Sequence, residues 1–364
     1  MTKTFHIVVL GGDGIGPEVC DQSVRLLQQM QPHLDGVEFH LDPHDVGVGE
    51  YQRSGEALPD SAFEACLASD AVLLGAMGLP NVRYPNGKEI APQLDLRERL
   101  QLYGGVRPIQ LFHESDTPLK NYGAGDIDFV LVRESTEGLF YGRDAVADLS
   151  ADEATNQLRI SRQASERVCR LSFELARRRG GKKKVSLIDK ANVLSTMVYF
   201  RHIFDEVAKD FPDVTAEHIY VDAMALFMVR RPHDFDVMVT ENMFGDILSD
   251  LAAGIVGGMG MAPSGDIGDN AAVFQPSHGS APDIAGRSLA NPIAMHLSTA
   301  MMLDWLDHPE AKRGAEALKA AVADVLSDPN QRTADMGGKL STVEITDRIA
   351  RSLDRQLQSQ GSTA

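Results

Sequence analysis

The stretch that decides the fold class is FHIVVLGGDGIGPEVCDQSVRLLQQ, residues 5–29. Its first six residues form a mostly apolar run, and an amphipathic pattern follows from residue 17 to residue 29. The first pattern predicts a buried strand and the second a helix, and Pro17 stands where proline favours a first helical position. The segment therefore predicts one strand–turn–helix unit of an α/β fold.

The same alternation of short and long apolar patterns continues along the chain. Further strands are predicted at residues 71–75, 129–133, 184–189 and 235–241. Further helices are predicted at residues 93–102, 164–179, 194–209, 292–307, 309–326 and 343–357. Strands that alternate with helices in this way predict a largely parallel sheet.

Composition excludes several classes of protein. The 364 residues predict about two domains, and 52 acidic against 35 basic residues give a net charge of −17. We expect no nucleic-acid partner, because such proteins cluster Lys and Arg. Cys20, Cys66 and Cys169 are too few and too far apart for a disulfide framework or a zinc site. Residues 1–14 do not resemble a signal peptide, and the least polar stretch, 251–263, is too short to span a membrane, so we expect a cytoplasmic protein.

The glycine cluster at residues 11–16 lies between the first predicted strand and helix. It does not fit the G-x-G-x-x-G dinucleotide fingerprint in any frame. Two interpretations stay open, a tight structural turn and a loop that binds a phosphate or cofactor.

A pair of acidic residues, Asp246 and Asp250, has the i, i+4 spacing of one helical face. Two carboxylates so close destabilise a helix unless a cation lies between them, and all-oxygen ligands suit Mg²⁺ or Mn²⁺. The alternative is a solvated acidic face.

Four basic residues are candidates for substrate contacts. Lys190 follows a predicted strand at its carboxyl end, where ligands bind in open α/β sheets, and could act as a base or proton relay. Arg97, Arg107 and Arg133 suit bidentate carboxylate binding, and their convergence would indicate a substrate with more than one carboxylate. A surface position is the alternative for Lys190.

The segment HGSAPDIAG, residues 278–286, is a small-residue loop that permits close approach of a ligand to the backbone. Asp283 could accept hydrogen bonds from ribose hydroxyls and repel a 2′-phosphate, which would select NAD over NADP. A capping and turn role for Asp283 is the alternative.

Together these segments resemble the β-decarboxylating dehydrogenases, a family that includes isopropylmalate, isocitrate, homoisocitrate, tartrate and D-malate dehydrogenases. The resemblance runs from Gly11 to about Leu303. It is strongest at GDGIGPEV (12–19), YVDAM (220–224), FDVMVTENMFGDILSD (235–250) and HGSAPDIAG (278–286).

The resemblance implies an isopropylmalate-dehydrogenase-like α/β fold with one continuous twisted, largely parallel sheet and no standard Rossmann domain. Residues 1–103 and 257–364 would form a larger domain with the NAD site. Residues 104–256 would form a smaller domain with the dimer interface and the metal and substrate residues. It also implies a homodimer with shared active sites.

The resemblance also assigns roles to individual residues. Asp222, Asp246 and Asp250 would bind Mg²⁺ or Mn²⁺, and Lys190 would act on the substrate hydroxyl with help from Asp222. Arg97, Arg107, Arg133 and Leu94 would contact the substrate. The cofactor residues would be His278, Gly279, Ser280, Ala281, Asp283, Ile284 and Asn291, and K⁺ is a candidate activator.

The implied reaction is the NAD-dependent oxidative decarboxylation of a malate-type 2-hydroxy diacid, a small-molecule substrate. Leu94 fits an alkyl substituent and Gln93 does not, whereas Ala91 and Gln93 differ from the Ser and Asn of isocitrate enzymes. We therefore expect 3-isopropylmalate or a related alkylmalate first, then D-malate or tartrate, then homoisocitrate or isocitrate. A non-catalytic regulatory subunit and a metal-dependent hydrolase are the alternatives from other classes.

Four positions depart from the family pattern. Phe140 stands where relatives place the Tyr that protonates the enolate, and a phenyl ring cannot donate a proton. The neighbouring Tyr141 is the candidate replacement, with a packed aromatic role as its alternative. Proton donation by water or Lys190, or a weakened protonation step, are the other possibilities. Gln275 replaces a usual Glu, and Gly104-Gly105 replaces a common Ala-Asn.

Overall fold

The computed structural model describes residues 2–146 and 148–361. Its strands are β1 (Lys3–Gly12), β2 (Val37–His44), β3 (Ala71–Ala76), β4 (Gly104–Gln110), β5 (Asp128–Glu134), β6 (Lys184–Asp189), β7 (Thr215–Tyr220), β8 (Val237–Thr240), β9 (Pro263–Ile267) and β10 (Ala272–Pro276). Its helices are α1 (Gly16–Met30), α2 (Val48–Ser54), α3 (Asp60–Ala68), α4 (Pro92–Arg99), α5 (Arg162–Arg179), α6 (Ser195–Ala208), α7 (Val221–Arg230), α8 (Asn242–Gly254), α9 (Ile293–Trp305), α10 (Pro309–Leu326) and α11 (Thr342–Gly361). None of the described helices is long and apolar enough to cross a membrane.

The strands form one sheet in the order β2-β1-β3-β10-β9-β4-β5-β8-β6-β7. The outer pairings are parallel, and the three central ones, β10–β9, β9–β4 and β4–β5, are antiparallel. The predicted α/β fold with a largely parallel sheet is therefore confirmed. Strands β1–β3, β9 and β10 form one half of the sheet, and residues 104–240 supply the other half.

Apolar side chains cover both faces of each half of the sheet. Helices α1, α9, α10 and α11 bury the largest cluster against β1, β3 and β10, and the side chains of α9 are buried on almost every side. The other half is covered by α5 and α6 on one face and by α7 and α8 on the other. Because they are buried on both faces, the parallel strands have nearly continuous apolar sequences.

The glycine cluster forms a tightly packed turn. Gly14 has a φ of +60°, and a Cβ there would lie 2.0 Å from the carbonyl oxygen of Ser280. The Asp13 carboxylate accepts hydrogen bonds from the backbone N–H groups of Val48, Gly49 and Gly78, at 2.8–2.9 Å. The contacts support the structural interpretation of this turn, which holds the loop around Ser280 against the start of α1.

A buried histidine in the main core predicts a pH dependence of stability. Ser23 Oγ lies 2.7 Å from His296 Nδ1, and His296 Nε2 lies 3.2 Å from Thr346 Oγ1. Since Thr346 donates to a backbone carbonyl, the His296 ring is best assigned as neutral, with its proton on Nε2. Burial lowers the pKa of His296 to about 3.

Below pH 6.5 the unfolded chain therefore binds a proton at His296 that the folded chain does not. We expect folding stability to fall by about 1.4 kcal/mol per pH unit from pH 6.5 toward pH 3, in addition to the other titrating groups. Urea unfolding at several pH values should show this slope, and His296→Gln should remove it. His202→Gln, at an exposed position of α6, is the matched control. An unchanged slope in His296→Gln would contradict the assignment.

Candidate active site

A cavity of about 230 Å³ lies where the two halves of the sheet meet. It is lined by residues of β3, α4, β4, β5, α8 and β9, by Phe140 in the turn after β5, and by the end of β10 with the loop that follows. These are Ala76, Met77, Gln93, Leu94, Arg97, Arg107, Arg133, Phe140, Asp246, Ser264, Gln275, Pro276, Ser277, His278 and Gly279. The structure thus brings the three predicted arginines together in one cavity.

Strand register explains how two of the arginines meet. In the antiparallel β4–β5 pair, Arg107 is opposite Leu131 and Arg133 is opposite Gly105. Arg107 and Arg133 are therefore diagonal neighbours on the same face of the sheet. Arg97 reaches them from the last turn of α4.

All three arginines are buried, and their charges are poorly solvated. The pKa of Arg133 is lowered to about 9, mainly by burial and then by the positive charges of Arg107 and Arg97. Burial, and next Arg97, also lower the pKa of Arg107. Such a cluster favours an anion, because a carboxylate among the guanidinium groups would offset their mutual repulsion.

Helix α8 places Asp246 and Asp250 on one face beside the arginines, as the spacing predicts. Arg133 Nη1 donates to Asp246 Oδ1, and Arg133 Nε donates to Asn242 Oδ1 at 2.8 Å. The pKa of Asp250 is raised, mainly by burial. The negative charge of Asp246 also raises this pKa. A divalent cation would relieve this repulsion, and the carboxylate oxygens fit Mg²⁺ or Mn²⁺.

The third predicted metal ligand lies outside this cavity. Among the described residues no three His, Cys, Asp or Glu side chains form a metal-binding group. Asp222 lies in the first turn of α7, directly after β7, and Lys190 follows β6, the parallel neighbour of β7. Lys190 Nζ donates to Asp222 Oδ1 at 2.5 Å, and the Asp222 side chain is 68% exposed. The structure brings this pair together at the surface and does not bring it to Asp246.

The predicted cofactor loop borders the cavity. His278 and Gly279 line it, and Ser280 is buried and donates to the carbonyl oxygen of Gly78. Ala281 and Ile284 are half-buried. Burial lowers the pKa of His278, which keeps its ring neutral near pH 7.

Two further cofactor candidates, Asp283 and Asn291, differ in their burial and in the hydrogen bonds that their side chains form. The Asp283 side chain is exposed, and its carboxylate forms no hydrogen bond or ion pair within residues 2–146 and 148–361, so it does not act as a cap. Asp283 lies within a turn, and the turn part of the alternative therefore stays open. Asn291 is buried, donates to Asp335 Oδ2 at 3.1 Å and accepts from the N–H of Ile293. In this chain Asn291 already holds structural contacts.

The aromatic pair in the turn after β5 lies at two adjoining cavities, and Phe140 lines both of them. Phe140 lines the main cavity, with its ring centre 5.1 Å from the guanidinium carbon of Arg133. Tyr141 is half-exposed and lines a neighbouring cavity of about 70 Å³ that it shares with Leu94 and Arg97. Tyr141 is thus close to the arginine cavity without lining it.

Two polar residues of the cavity, Ser264 and Ser277, were missed by the sequence analysis. Five lining residues carry buried polar atoms without a hydrogen-bond partner among the described residues. They are Gln93 Oε1, Arg107 Nε, Ser264 Oγ, Ser277 Oγ and His278 Nε2. Buried polar groups are normally paired, so these atoms indicate a site built for a polar ligand.

The chain is similar to known proteins over almost its full length. The family model described as isocitrate/isopropylmalate dehydrogenase matches residues 6–349. The chain is 40% identical to 3-isopropylmalate dehydrogenase of Aquifex aeolicus, over 97% of this chain and 98% of that protein. It is 43% identical to the protein of the same name from Bacillus cereus, over 96% and 97%.

Solved structures give the same result. The crystal structure of isocitrate dehydrogenase from Methylococcus capsulatus has a TM-score of 0.85 and 36% identity, over 96% of this chain and 99% of that chain. The apo β-decarboxylating dehydrogenase of Thermococcus kodakarensis has a TM-score of 0.81 and 35% identity, over 97% of each chain. The chain is therefore an oxidoreductase that belongs to the isocitrate/isopropylmalate dehydrogenase family.

Proposed function

We propose that the protein catalyses the NAD-dependent oxidative decarboxylation of 3-isopropylmalate. Three buried arginines line one cavity with Asp246, and Asp250 lies near enough to interact with them. This arrangement carries the proposal, because it suits a diacid held beside a divalent cation. Met77, Leu94 and Phe140 line the same cavity and can contact an alkyl substituent. The curated relatives that bear the name 3-isopropylmalate dehydrogenase support this substrate.

Asp246 and Asp250 would hold Mg²⁺ or Mn²⁺ together with Asp222 of a second copy of the chain. This site would supply Lewis-acid polarisation of the substrate oxygens through the metal, and the cofactor site would supply a hydride acceptor in NAD⁺. Arg97, Arg107 and Arg133 would orient the two carboxylates.

Lys190 would act across the same interface. Its Nζ, held by Asp222, would take or relay the hydroxyl proton of the substrate. His278, Gly279, Ser280, Ala281, Ile284 and Asn291 would shape the cofactor site from the loop side, either by direct contact or by holding the loop.

A homodimer would complete the site. Leu226 and Val229 are exposed on α7, on the face that begins with Asp222, and Met243 and Ile247 are exposed on α8 beside the two acidic residues. Apolar side chains exposed in this way indicate a protein interface. Pairing of these faces would bring Lys190 and Asp222 of one copy to Asp246 and Asp250 of the other.

The division of the sheet supports the two proposed domains. Residues 1–103 and 257–364 would carry the cofactor loop, and residues 104–256 would carry the interface helices. The arginine cavity would then lie between the domains, which fits a site that closes around a substrate.

The assay that tests this function is NADH production from a panel of hydroxy acids with Mn²⁺ and K⁺ present. We expect the highest kcat/KM with 3-isopropylmalate. A preference for D-malate or tartrate, or for isocitrate or homoisocitrate, would replace the proposed substrate. No turnover with any of them would favour a regulatory subunit, and metal-dependent hydrolysis without NAD⁺ binding would favour a hydrolase.

The exposed carboxylate of Asp283 leads us to expect a preference for NAD⁺ over NADP⁺. This carboxylate would accept hydrogen bonds from the ribose hydroxyls and repel a 2′-phosphate, so we expect kcat/KM for NAD⁺ to exceed that for NADP⁺ at least about tenfold. Steady-state kinetics with both cofactors measures this ratio. Asp283→Ser should reduce it, whereas Asp45→Asn, at an exposed position in the loop after β2, should not. Equal efficiencies in the wild type would show that Asp283 does not meet the ribose.

A further inference from the structure

A buried carboxylate lies behind the arginine cavity, and the proposed reaction gives it no role. Asp266 on β9 is only 1% exposed. Its Oδ2 accepts from Arg97 Nε at 3.0 Å and from Gln275 Nε2 at 2.6 Å. Its Oδ1 is buried and has no hydrogen-bond partner among the described residues. A half-paired buried carboxylate is costly, and this one therefore requires an explanation.

The position of Asp266 links two departures from the family pattern. Asp266 is opposite Gly105 in the β9–β4 pair and opposite Val273 in the β9–β10 pair, which makes Gln275 its diagonal neighbour. A Cβ at Gly105 would lie 3.3 Å from Asp266 Oδ1 and 2.8 Å from Ser135 Oγ. Gly105 thus leaves room for the carboxylate, and Gln275 supplies a neutral donor to it.

The charge of Asp266 acts on the whole arginine cluster. Burial, and then repulsion by Arg97, lower the pKa of Arg107, while the negative charge of Asp266 opposes this shift. Burial is also the main cause that lowers the pKa of Arg133, and the negative charge of Asp266 opposes this shift too. The ion pair with Arg97 is the closest of these interactions and is shielded from water.

We propose that Asp266 determines how many carboxylates the cavity accepts. It offsets one of the three positive charges of Arg97, Arg107 and Arg133, so that the cluster matches the two carboxylates of a diacid and has no net charge left for a third. Because Leu94 lines the same cavity, an alkyl group is favoured where a third carboxylate would lie. Asp266 is a positioning and specificity residue rather than a catalytic one, and its role rests on the proposed function.

The substitution that tests this proposal is Asp266→Asn. An amide oxygen can still accept from Arg97 and Gln275, and the amide nitrogen takes the place of the unpaired Oδ1, so that only the charge is lost. We measure kcat and KM for 3-isopropylmalate and for isocitrate, a tricarboxylate, in wild type and variant. The ratio of kcat/KM for isocitrate to that for 3-isopropylmalate should rise at least about tenfold, mainly through KM, the size expected for one charge in a partly buried site.

Three further variants separate charge from structure. Gln275→Leu removes one donor to Asp266 and no charge, so it should change both substrates in parallel. The double variant Asp266→Asn with Arg97→Gln removes both charges of the pair and should return the ratio toward the wild-type value. Asp60→Asn, at an exposed position of α3, should change neither substrate.

The outcomes distinguish this inference from the proposed function. A folded Asp266→Asn variant with an unchanged ratio would overturn the role of Asp266, provided that the wild type prefers 3-isopropylmalate. A wild type that prefers isocitrate would overturn the proposed substrate itself. If Asp266→Asn does not fold, Asp266→Ser removes the same charge with a smaller side chain and gives the same test.

Discussion

Asp246→Asn should lower kcat/KM at least about a hundredfold. The side chain is half-exposed on α8 and bonded to Arg133, so the neutral amide can keep the hydrogen bond and the helix should be unaffected. What is lost is one charged oxygen ligand of the proposed metal site. Removal of a single group that stabilises developing charge typically costs ~3 kcal/mol or more in the transition state.

Two measurements check the metal assignment for Asp246. Titration with Mn²⁺, followed by electron paramagnetic resonance, should show weaker binding in Asp246→Asn than in the wild type. Asp304→Asn, which removes an ion pair with Lys319 on a distant surface, is the matched control and should keep both activity and metal affinity. An Asp246→Asn variant that retains more than a tenth of the wild-type kcat/KM would contradict the assignment.

Co-expression of two inactive variants tests whether the site is shared. A heterodimer of Asp246→Asn and Lys190→Ala subunits would contain one doubly substituted site and one intact site. We therefore expect the mixture to regain measurable activity although each homodimer is inactive. A mixture that stays inactive would place Lys190 and Asp246 in the same chain's site, against the exposed position of the Lys190–Asp222 pair.

Strands that are buried on both faces were predictable from the sequence. The apolar runs at residues 71–75, 129–133 and 184–189 became β3, β5 and β6 with ends shifted by at most one residue. The strands that were missed lack such runs. β2 and β7 have mostly partly or fully exposed residues. β4 begins with two glycines and contains an arginine and a proline, and β9 and β10 have five residues each and include prolines. Their strand state depends on tertiary pairing more than on local pattern.

The residues of the site also differ in whether they could be predicted from the sequence. The spacing of Asp246 and Asp250 predicted a shared helical face, and α8 provides it. Asp266 has no local signal, because a single acidic residue in the run PSGDIG looks like a turn. Its pairing with Arg97 depends on the position of β9 in the sheet and on contact with α4, which are separated by 169 residues in sequence. Long-range register of this kind cannot be read from one sequence.

The last prediction concerns the proton that replaces CO₂ on carbon. Phe140 lines the cavity against Arg133 and has no acidic proton, whereas Tyr141 lines the adjoining space with Leu94 and Arg97. A rotation of the Tyr141 side chain, which is half-exposed, could bring its hydroxyl to the substrate. We therefore expect Tyr141→Phe to lower kcat by roughly 10²–10⁴-fold, the usual contribution of a positioned acid.

Phe140→Tyr is the complementary variant. It would place a phenol on the cavity wall itself and should raise kcat if protonation limits turnover. Its effect should persist in the double variant with Tyr141→Phe, which would show that one phenol replaces the other. If both single variants match the wild type, neither ring takes part in a rate-limiting proton transfer. A solvent isotope effect on the wild type then separates the two remaining cases, since protonation by water or Lys190 should show one and slow NADH release almost none.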